Sequence, residues 1–345
     1  MSEPLVSVII VNHNGIEFVD ACLRSVLNSQ YKNFEVIFVD NGSIDGSLEY
    51  AKKTFGSEGR LHFVENHASL GPAVGRNRGT KVSSGEYLIF LDNDTKVTAG
   101  WIGELVRVLE NDNSIGAGQA KLLRMDTDAY DCAGEYLGPL GFLIERSNSK
   151  KDTGQFDFIA DILSAKSAAS IIRRGLFEKI GGFDEDYYMY LEETDLSWRV
   201  WLSGYRVVFI PQAIVYHAFN TPRKKFKRYY TKYIVRYYGC RNYISTLIKN
   251  LELINLIKIL PFHLGCLLAL SFFFILKGSL SDGFFILKAI GWNVLNIFGL
   301  ARKRHLINGR IRKINDSDIL NKLMVKRNPG YYLGKAYAYL TGKPF

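Results

Sequence analysis

Cysteine is scarce in this sequence, and no two cysteines lie close together. Four occur among 345 residues, at Cys22, Cys132, Cys240 and Cys266, and none of them forms a CxxC pair. Structural zinc sites need clustered cysteine or histidine ligands, so this spacing argues against a zinc site. Scattered cysteines also favour a protein of a reducing compartment.

The sequence also lacks the pattern of a signal peptide. No lysine or arginine precedes the first apolar run, which begins at Leu5. Because a secretory signal carries a basic region before its apolar region, we expect no signal peptide here.

Acidic residues are outnumbered by basic ones. The chain has 44 Lys and Arg against 34 Asp and Glu, a formal net charge of +10. This excess predicts an anionic partner, which could be nucleic acid, a membrane or a phosphorylated substrate. With 47% hydrophobic residues, the chain can fill a core as one large domain with an appendage, or as two domains.

Strands and helices alternate through the first ninety residues. Apolar β runs are predicted at 5–11, 34–39, 61–64 and 87–91, and helices at 17–29, 45–53 and from 71 onwards. This spacing is typical of parallel βαβ units, so the sequence predicts an α/β fold. Neither a GxGxxG motif after the first strand nor a P-loop is present, which excludes the ordinary dinucleotide fingerprint and the Walker site.

Polar side chains follow the predicted strands at the points where the strands end. They are Asn12, Asn14, Asp40, Asp92 and Asp94. Ligands of open α/β sheets bind beyond the carboxyl ends of the strands, so these residues mark a candidate site. Two carboxylates at the mouth of a parallel strand suit a hard divalent cation that also binds phosphate oxygens. The alternative interpretation is a polar turn.

Four stretches of the sequence together resemble the inverting family 2 glycosyltransferases. The stretches are Val8–Asn14, Val39–Ser47, Gly71–Gly79 and Asp92–Asp94. The resemblance extends over about residues 5–220 and is specific in combination. It implies a nucleotide-sugar enzyme with a single α/β domain, the GT-A fold, in which a mostly parallel sheet is flanked by helices. Within this family, the chain resembles the rhamnosyltransferase-like enzymes that build lipid-linked glycans.

The resemblance implies a donor site at the carboxyl ends of the strands. Asp40 would accept a hydrogen bond from the base, Arg76 would lie near the base and phosphates, and Asp92 would meet the ribose. The alternative for Arg76 is a solvated helix cation. The other residues assigned to the nucleotide-sugar site are Val11, Asn12, Asn14, Gly71 and Asn93.

The resemblance also implies a metal site. Asp94 would hold Mg²⁺ or Mn²⁺ against the diphosphate, and His217 would complete the site. Neutral imidazole is a competent ligand for such ions, although a single histidine is more often structural. Asn93 stands where many family members have Asp, and we leave it outside the metal shell because it lacks the charge.

Three acids crowd the start of a predicted helix that begins near residue 193 and stops at Gly204. They are Glu192, Glu193 and Asp195, more than the helix dipole requires. Inverting transfer needs a base that deprotonates the acceptor hydroxyl. The resemblance places this base at Glu193, with Glu192 as the second candidate and Asp195 orienting the helix or the acceptor.

The C-terminal third carries basic and apolar segments in turn. Residues 223–241 mix eight basic with six aromatic side chains, two apolar stretches cover 259–276 and 283–300, and residues 302–313 are basic again. A basic and aromatic segment could bind RNA or an anionic bilayer, and the apolar stretches favour the bilayer. Basic flanks on both sides permit zero or two crossings. We favour a hairpin embedded from the cytoplasmic leaflet, with two crossings or a soluble helix pair as alternatives.

The sequence thus predicts a GT-A catalytic domain at 1–222, a membrane-associating region at 223–313 and a C-terminal helix and tail at 314–345. Residues 115–160 should be acceptor-side structure whose elements the sequence does not define. The expected reaction moves a sugar from a UDP- or dTDP-sugar to a lipid-linked saccharide or a polyprenyl or dolichyl phosphate, at the cytoplasmic face of the membrane, without nucleic acid.

Two other functions remain open on the sequence. A nucleotidyltransferase would need a basic pyrophosphate loop after the first strand, where Asn12-His13-Asn14-Gly15 has no Lys or Arg. The other is a catalytically inactive membrane scaffold of the same fold.

Overall fold

The computed structural model describes residues 3–125, 127–147, 150–218, 234–328, 330–332, 334, 335 and 337. The first part of the chain confirms the predicted alternation of strands and helices. Its elements are β1 (Val6–Asn12), α1 (Ile16–Leu27), β2 (Phe34–Asn41), α2 (Ser47–Phe55), β3 (Leu61–Asn66), α3 (Pro72–Val82) and β4 (Tyr87–Asp92).

The second part holds short strands that periodicity did not define. Its elements are β5 (Thr95–Val97), α4 (Trp101–Asn111), β6 (Ile115–Arg124), β7 (Tyr130–Cys132), β8 (Glu135–Leu137), β9 (Leu143–Glu145), β10 (Ala160–Asp161), β11 (Ala169–Arg173), α5 (Arg174–Lys179), α6 (Glu192–Leu202) and β12 (Arg206–His217). β12 is a single strand of 12 residues that follows Gly204. Its register against β6 shifts between Ile210 and Ile214, around Pro211, which cannot donate a ladder hydrogen bond.

The main sheet has the strand order β10-β12-β6-β11-β4-β1-β2-β3. β1 pairs in parallel with β2 and β4, which aligns Asn12 with Asp40 and Val11 with Asp92. The expectation of a mostly parallel sheet is corrected to a mixed sheet, because β11 lies antiparallel between β4 and β6. The carboxyl ends of β1, β2 and β4 nevertheless meet at one edge, as predicted.

Hydrophobic clusters cover both faces of this sheet. On one face, α1 and α4 bury Leu23, Trp101 and Leu105 against the strands. On the other face, α6 contributes Trp198 and Trp201. Every residue of α6 is buried, including the three acids at its start, so this helix is a core element.

The C-terminal helices pack into the second of these clusters. After a π-helical segment at Ile234–Gly239 come α7 (Cys240–Asn250), α8 (Leu253–Leu276), α9 (Leu280–Leu295), α10 (Ile297–Leu306), a second π-helical segment at Ile307–Ile311 and α11 (Asp316–Leu323). Leu247, Ile259, Ile307 and Ile319 share the cluster with Trp198. Packing is therefore continuous between the sheet and the helices, whereas the predicted boundary at 222 and the basic segment 223–233 fall outside the described residues.

Of the helices in the described ranges, α8 alone is long and apolar enough to cross a membrane by itself. The second apolar stretch is bent, because α9 and the segment 297–311 meet at an angle of 62°. It is therefore not one straight helix. α11 packs on the first part of the chain, because Ile319 and Leu323 share a hydrophobic cluster with Leu137 and Trp198. Just after this helix, Val325 N donates to Leu137 O at 2.8 Å.

Candidate active site

Three potential metal ligands meet where β4 and β12 end. One ligand atom each of Asp92, Asp94 and His217 lies within 4.8 Å of the others. β12 brings His217 opposite Thr95 of β5, directly after Asp94. The antiparallel pairing of β5 with β12 thus joins residues that are far apart in the sequence.

The carboxylate of Asp131, which is not part of this ligand cluster, orients the His217 imidazole. Nδ1 of His217 lies 2.9 Å from Oδ2 of Asp131, and Nε2 lies 3.2 Å from Oδ1 of Asp94. Burial lowers the pKa of His217, but the hydrogen bonds to Asp131 and Asp94 outweigh it and raise that pKa to about 10. Such a carboxylate commonly fixes the tautomer of a ligating histidine. Two carboxylates and the imidazole of His217, once its Nε2 proton is released, form a donor set that fits Mn²⁺ or Mg²⁺.

Polar side chains at the carboxyl ends of β1 and β2 form hydrogen bonds with one another and connect the loops that follow these strands, which we call the donor loops. Asn12 is fully buried, and its Nδ2 lies 3.0 Å from Oδ1 of Asp40 and 2.8 Å from Oγ of Ser47. Asn14 accepts a hydrogen bond from the Ile44 amide at 2.8 Å through Oδ1. Asn12 and Asn14 therefore join the two loops, while the Asp40 carboxylate retains lone pairs for a donor base.

The remaining residues predicted for the donor site lie along the same edge. Asn93 donates to Oδ1 of Asn12 at 2.6 Å, which holds its amide away from the metal ligands. Gly71 has φ = +81°, and a Cβ there would lie 2.2 Å from the Tyr188 carbonyl oxygen. Val11 of β1 packs against Gly75 of α3. A Cβ on Gly75 would lie only 2.9 Å from Cγ1 of Val11, so α3 approaches β1 closely.

Arg76 connects the donor edge to the acids of α6. It is 4% exposed and donates to Oδ1 of Asp92 at 2.9 Å and to Oε1 of Glu192 at 2.8 Å. The structure thus places Arg76 between two carboxylates, so it is not a solvated helix cation, while its place near the base and phosphates of a donor stays a prediction. This bridge joins the metal-ligand cluster and the acids of α6 into one site.

Glu192 and Glu193 have different surroundings. Burial and the neighbouring Glu193 carboxylate raise the pKa of Glu192 to about 7, against the opposing effect of Arg76. Glu193 lies 3.6 Å from the Lys166 ammonium, which also contacts Glu135 at 3.0 Å. The side chain of Glu193 is 12% exposed and that of Glu192 is 5% exposed, so Glu193 is the more accessible acid.

Asp195 has a structural position, which corrects its inclusion among the catalytic candidates. The residue is fully buried, and its carboxylate contacts Arg199, Asn250 and Lys249 at 2.8–3.0 Å. These partners hold α6 against α7, which agrees with the orienting role and leaves no path to an acceptor.

Three charged residues of the site were missed by the sequence reasoning. Asp131, Glu135 and Lys166 lie in or beside the region whose elements could not be defined. No spacing or motif distinguishes them, because their partners at His217 and Glu193 are distant in the chain. Only the pairing of β7 with β6, and of β6 with β12, brings Asp131 to His217.

Comparison with known proteins identifies the family. The profile described as Glycosyl transferase family 2 matches residues 7–181, half of the chain. The chain belongs to glycosyl transferase family 2. The match covers β1 to α5 and therefore includes the donor loops, Arg76, Asp92 and Asp94, while α6 and His217 lie beyond it.

Relatives of this chain include an O-antigen biosynthesis protein and a glycosyltransferase. The chain is 28% identical to the O-antigen biosynthesis protein RfbC of Myxococcus xanthus over 64% of its own length and 18% of that protein. It is also 28% identical to the glycosyltransferase AglE of Haloferax volcanii over 62% of its length and 67% of that protein. The matches to several other relatives span only about a quarter to two fifths of those proteins.

Solved structures establish the fold. S. aureus TarS residues 1–349 superpose over 98% of this chain and 91% of that one, with a TM-score of 0.57 and 17% identity. The mannosyltransferase PcManGT of Pyrobaculum calidifontis, solved with GDP-Man and Mn²⁺, covers 93% of this chain and 88% of that one, with a TM-score of 0.53 and 16% identity. The family 2 chain therefore has the predicted GT-A fold.

Proposed function

We propose that this family 2 glycosyltransferase transfers a sugar with inversion from a nucleoside-diphosphate donor to a lipid-linked acceptor, with Glu193 as the general base. The observation that supports this most strongly is the Arg76 bridge between Asp92 and Glu192. It links the candidate metal ligand Asp92 to Glu192, the residue directly before the candidate base Glu193, and so brings the two groups into one site.

The chemistry follows from the positions of the two groups. Glu193 takes the proton of the acceptor hydroxyl, and the hydroxyl oxygen forms a bond to the anomeric carbon on the face opposite the leaving group. The bond from that carbon to the diphosphate breaks, and its electron pair goes to the diphosphate oxygen. Asp92, Asp94 and His217 would hold Mg²⁺ or Mn²⁺, which would neutralise charge on the departing diphosphate.

The donor proposed is a UDP- or dTDP-sugar. Asp40, at the end of β2, is a pure acceptor when ionised, and uracil and thymine each offer an N3–H donor. A thermal-shift panel of UDP, dTDP, GDP and CDP with and without Mn²⁺ tests this proposal. We expect stabilisation by UDP or dTDP that increases with Mn²⁺ through mass action. Stabilisation by GDP or CDP instead would contradict the choice of base.

Substitution of the two glutamates distinguishes the candidate bases. Glu193→Gln keeps the size of the side chain and removes its basicity, so the transfer rate should fall on the order of 10²-fold or more with unchanged nucleotide affinity. The exposed Glu49→Gln serves as the control and should transfer normally. A comparable loss in Glu192→Gln alone would move the base one residue back. Wild-type protein that binds nucleotide but transfers nothing would favour the inactive scaffold.

An exposed apolar surface on the C-terminal helices supports the proposal of a lipid-linked acceptor. α8 buries one stripe, formed by Ile259, His263, Leu267, Ser271 and Phe274, yet its most apolar 18-residue window has a mean hydropathy of 2.3. A helix that is apolar on all sides needs an apolar environment on its outer face as well. The large exposed apolar side chains of α8 to α10 include Phe262, Phe272, Leu276, Val294, Leu295 and Phe298.

We assign this outer apolar face to the cytoplasmic leaflet of an anionic membrane, as an in-plane helical hairpin. Leu295 and Phe298 are 84% and 87% exposed at the bend between α9 and α10, and the basic residues 302–304 follow directly. Basic groups near an anionic surface contribute roughly 1 kcal/mol each. Two full crossings are the alternative arrangement.

Liposome flotation tests the membrane assignment. The protein should float with vesicles containing phosphatidylglycerol and remain bound in high salt, because the apolar contribution is not screened. Leu295→Glu with Phe298→Glu should reduce binding, while Val82→Glu, on an exposed position of α3, should not. A monomer that neither floats nor needs detergent would contradict the assignment, and a soluble dimer that the Glu substitutions dissociate would assign the face to a second copy.

A further inference from the structure

The backbone just before Glu192 is in a conformation that its residues disfavour. Tyr190 has φ = 69° and Leu191 has φ = 62°, and neither is glycine. In the left-handed region the Cβ of an L-residue crowds the following carbonyl, so two such residues in succession need support from their surroundings. They end the loop of residues 184–191, which we call the α6 entry loop.

Helix α7 provides that support. Asn242 is 1% exposed, and its Nδ2 donates to the carbonyl oxygens of Met189 at 2.8 Å and Tyr190 at 2.7 Å. These carbonyls belong to the two peptide groups that flank Tyr190. The two bonds therefore fix the orientation of both peptides and hold Tyr190 in its left-handed conformation.

Other residues of α7 bind the same loop. The Arg241 guanidinium donates to the Asp186 carbonyl oxygen. The hydroxyl groups of Tyr187 and Thr246 lie 2.8 Å apart in the buried interface. The α6 entry loop is thus attached to α7 along most of its length, and Glu192 and Glu193 begin the helix that follows it.

We propose that Asn242 is a positioning residue for the catalytic acids, so that the C-terminal helical region completes the active site besides facing the membrane. The inference rests on the proposed function for its effect on transfer. By fixing the two peptides around Tyr190, Asn242 sets the direction in which α6 begins and hence where Glu193 meets the acceptor hydroxyl. Asp40 and Asp94 lie outside α6 and its entry loop, and Asp92 is linked to α6 only indirectly, through Arg76 and Glu192, so donor binding should change much less than turnover.

Asn242→Ala tests the proposal through a split between turnover and donor binding. Misplacement of a reacting group by about 1 Å can cost on the order of 10²-fold in rate, so kcat should fall by about that factor. The Kd for UDP or dTDP, measured by titration with Mn²⁺, should change by at most a few-fold, far less than kcat. Asn242→Ser, a milder variant that keeps one donor, should give an intermediate loss.

Asn293→Ala is the matched control. Asn293 is also a buried asparagine whose Nδ2 donates to two carbonyl oxygens, those of Arg241 at 3.1 Å and Ala289 at 2.9 Å. It makes no hydrogen bond to the α6 entry loop among the described residues. Both variants should lower thermal stability, but only Asn242→Ala should lower kcat strongly. Equal losses of kcat in the two variants would overturn the proposal.

Tyr190→Gly provides a test by rescue. Glycine adopts positive φ at little cost, so the loop should need Asn242 less when glycine replaces Tyr190. The fold-loss of kcat that Asn242→Ala causes should therefore be several-fold smaller in the Tyr190→Gly background than in the wild type. Tyr190 is 41% exposed, so its replacement disturbs the core little. Purely multiplicative effects would contradict the proposal.

Hydrogen–deuterium exchange distinguishes failure of this inference from failure of the proposed function. Amides 189–193 should exchange faster in Asn242→Ala and not in Asn293→Ala, whatever reaction the enzyme performs. Unchanged exchange in Asn242→Ala would overturn the positioning role. Faster exchange together with an active Glu193→Gln would keep that role and reject Glu193 as the base.

Discussion

Lys249 offers a direct test of the link between the sheet and the C-terminal helices. Its side chain is 2% exposed and contacts Asp195 at 2.8 Å and Asp184 at 2.5 Å. Lys249→Met keeps the length of the side chain and removes the charge. Breaking a buried ion pair by removing one partner costs about 3–5 kcal/mol, because the other charge is left uncompensated.

The structure places the expected cost at the lower end of that range. Asp195 keeps Arg199, and Asp184 keeps Lys303, so each carboxylate retains one cation. We therefore expect a loss of about 3 kcal/mol in the free energy of unfolding. With an m-value of roughly 3 kcal/mol/M, the urea midpoint should fall by about 1 M.

Lys303→Met is the matched control, because Lys303 contacts Asp184 and Asp186 but is 32% exposed. Solvent screens this pair, and its loss should cost at most about 1 kcal/mol. Equal shifts of the urea midpoint in the two variants, or a cost for Lys249→Met below about 1 kcal/mol, would refute the idea that Lys249 locks α6 to α7.

The effect of Lys249 should also depend on pH. Burial raises the pKa of Asp184 and of Asp195, but the charge of Lys249 and the neighbouring cations outweighs this effect and lowers both pKa values in the folded state. A carboxylate with a lowered folded pKa stabilises the fold above its unfolded pKa of about 3.9 and loses this contribution as the pH falls through the folded value. The difference between wild type and Lys249→Met should therefore be full at neutral pH and shrink below about pH 4.

Three further predictions concern the donor site and the chain boundary. Asp94→Ala should abolish the Mn²⁺-dependent part of the thermal stabilisation by UDP or dTDP, whereas Asp128→Ala, at an exposed position, should keep it. An unchanged Mn²⁺ response in Asp94→Ala would exclude Asp94 as a ligand. Gly71→Ala should lower the urea midpoint more than Gly46→Ala, because both have positive φ but only Gly71 faces the Tyr188 carbonyl, and equal shifts would contradict this. A chain that ends at residue 218 lacks Lys249 and Asn250, two partners of the buried Asp195, and should therefore not unfold cooperatively. Cooperative unfolding with intact nucleotide affinity would show that the sheet folds without α7.

Much of the donor edge could be predicted from local sequence. Alternating apolar runs and helical faces define β1 to β4, and polar residues follow each run, because a parallel strand must end in a loop at the same edge as its neighbours. Asn12, Asp40, Asp92 and Asp94 are therefore found together as expected. The family motifs then indicate which chemistry these residues serve.

The roles of α6 and α7 could not be predicted in this way. Three acids and an arginine in α6 resemble an exposed helix start, yet the whole helix is buried, because Lys249 and Asn250 of α7 compensate Asp195. Likewise, the hydropathy of residues 223–313 predicts a membrane appendage. Helix α7 lies within this range, yet its Leu247 packs in the same hydrophobic cluster as Trp198 of α6.

The sequence by itself determined the strand–helix order, the donor edge and the apolar character of the C-terminal helices, since each depends on residues close together in the chain. Tertiary structure alone decided the contacts of Asp131 with His217, of Arg76 with Glu192 and of Asn242 with the α6 entry loop. Charge and hydrogen-bond partners act over a few ångströms in space, and no local pattern records which distant residue the fold brings within that distance.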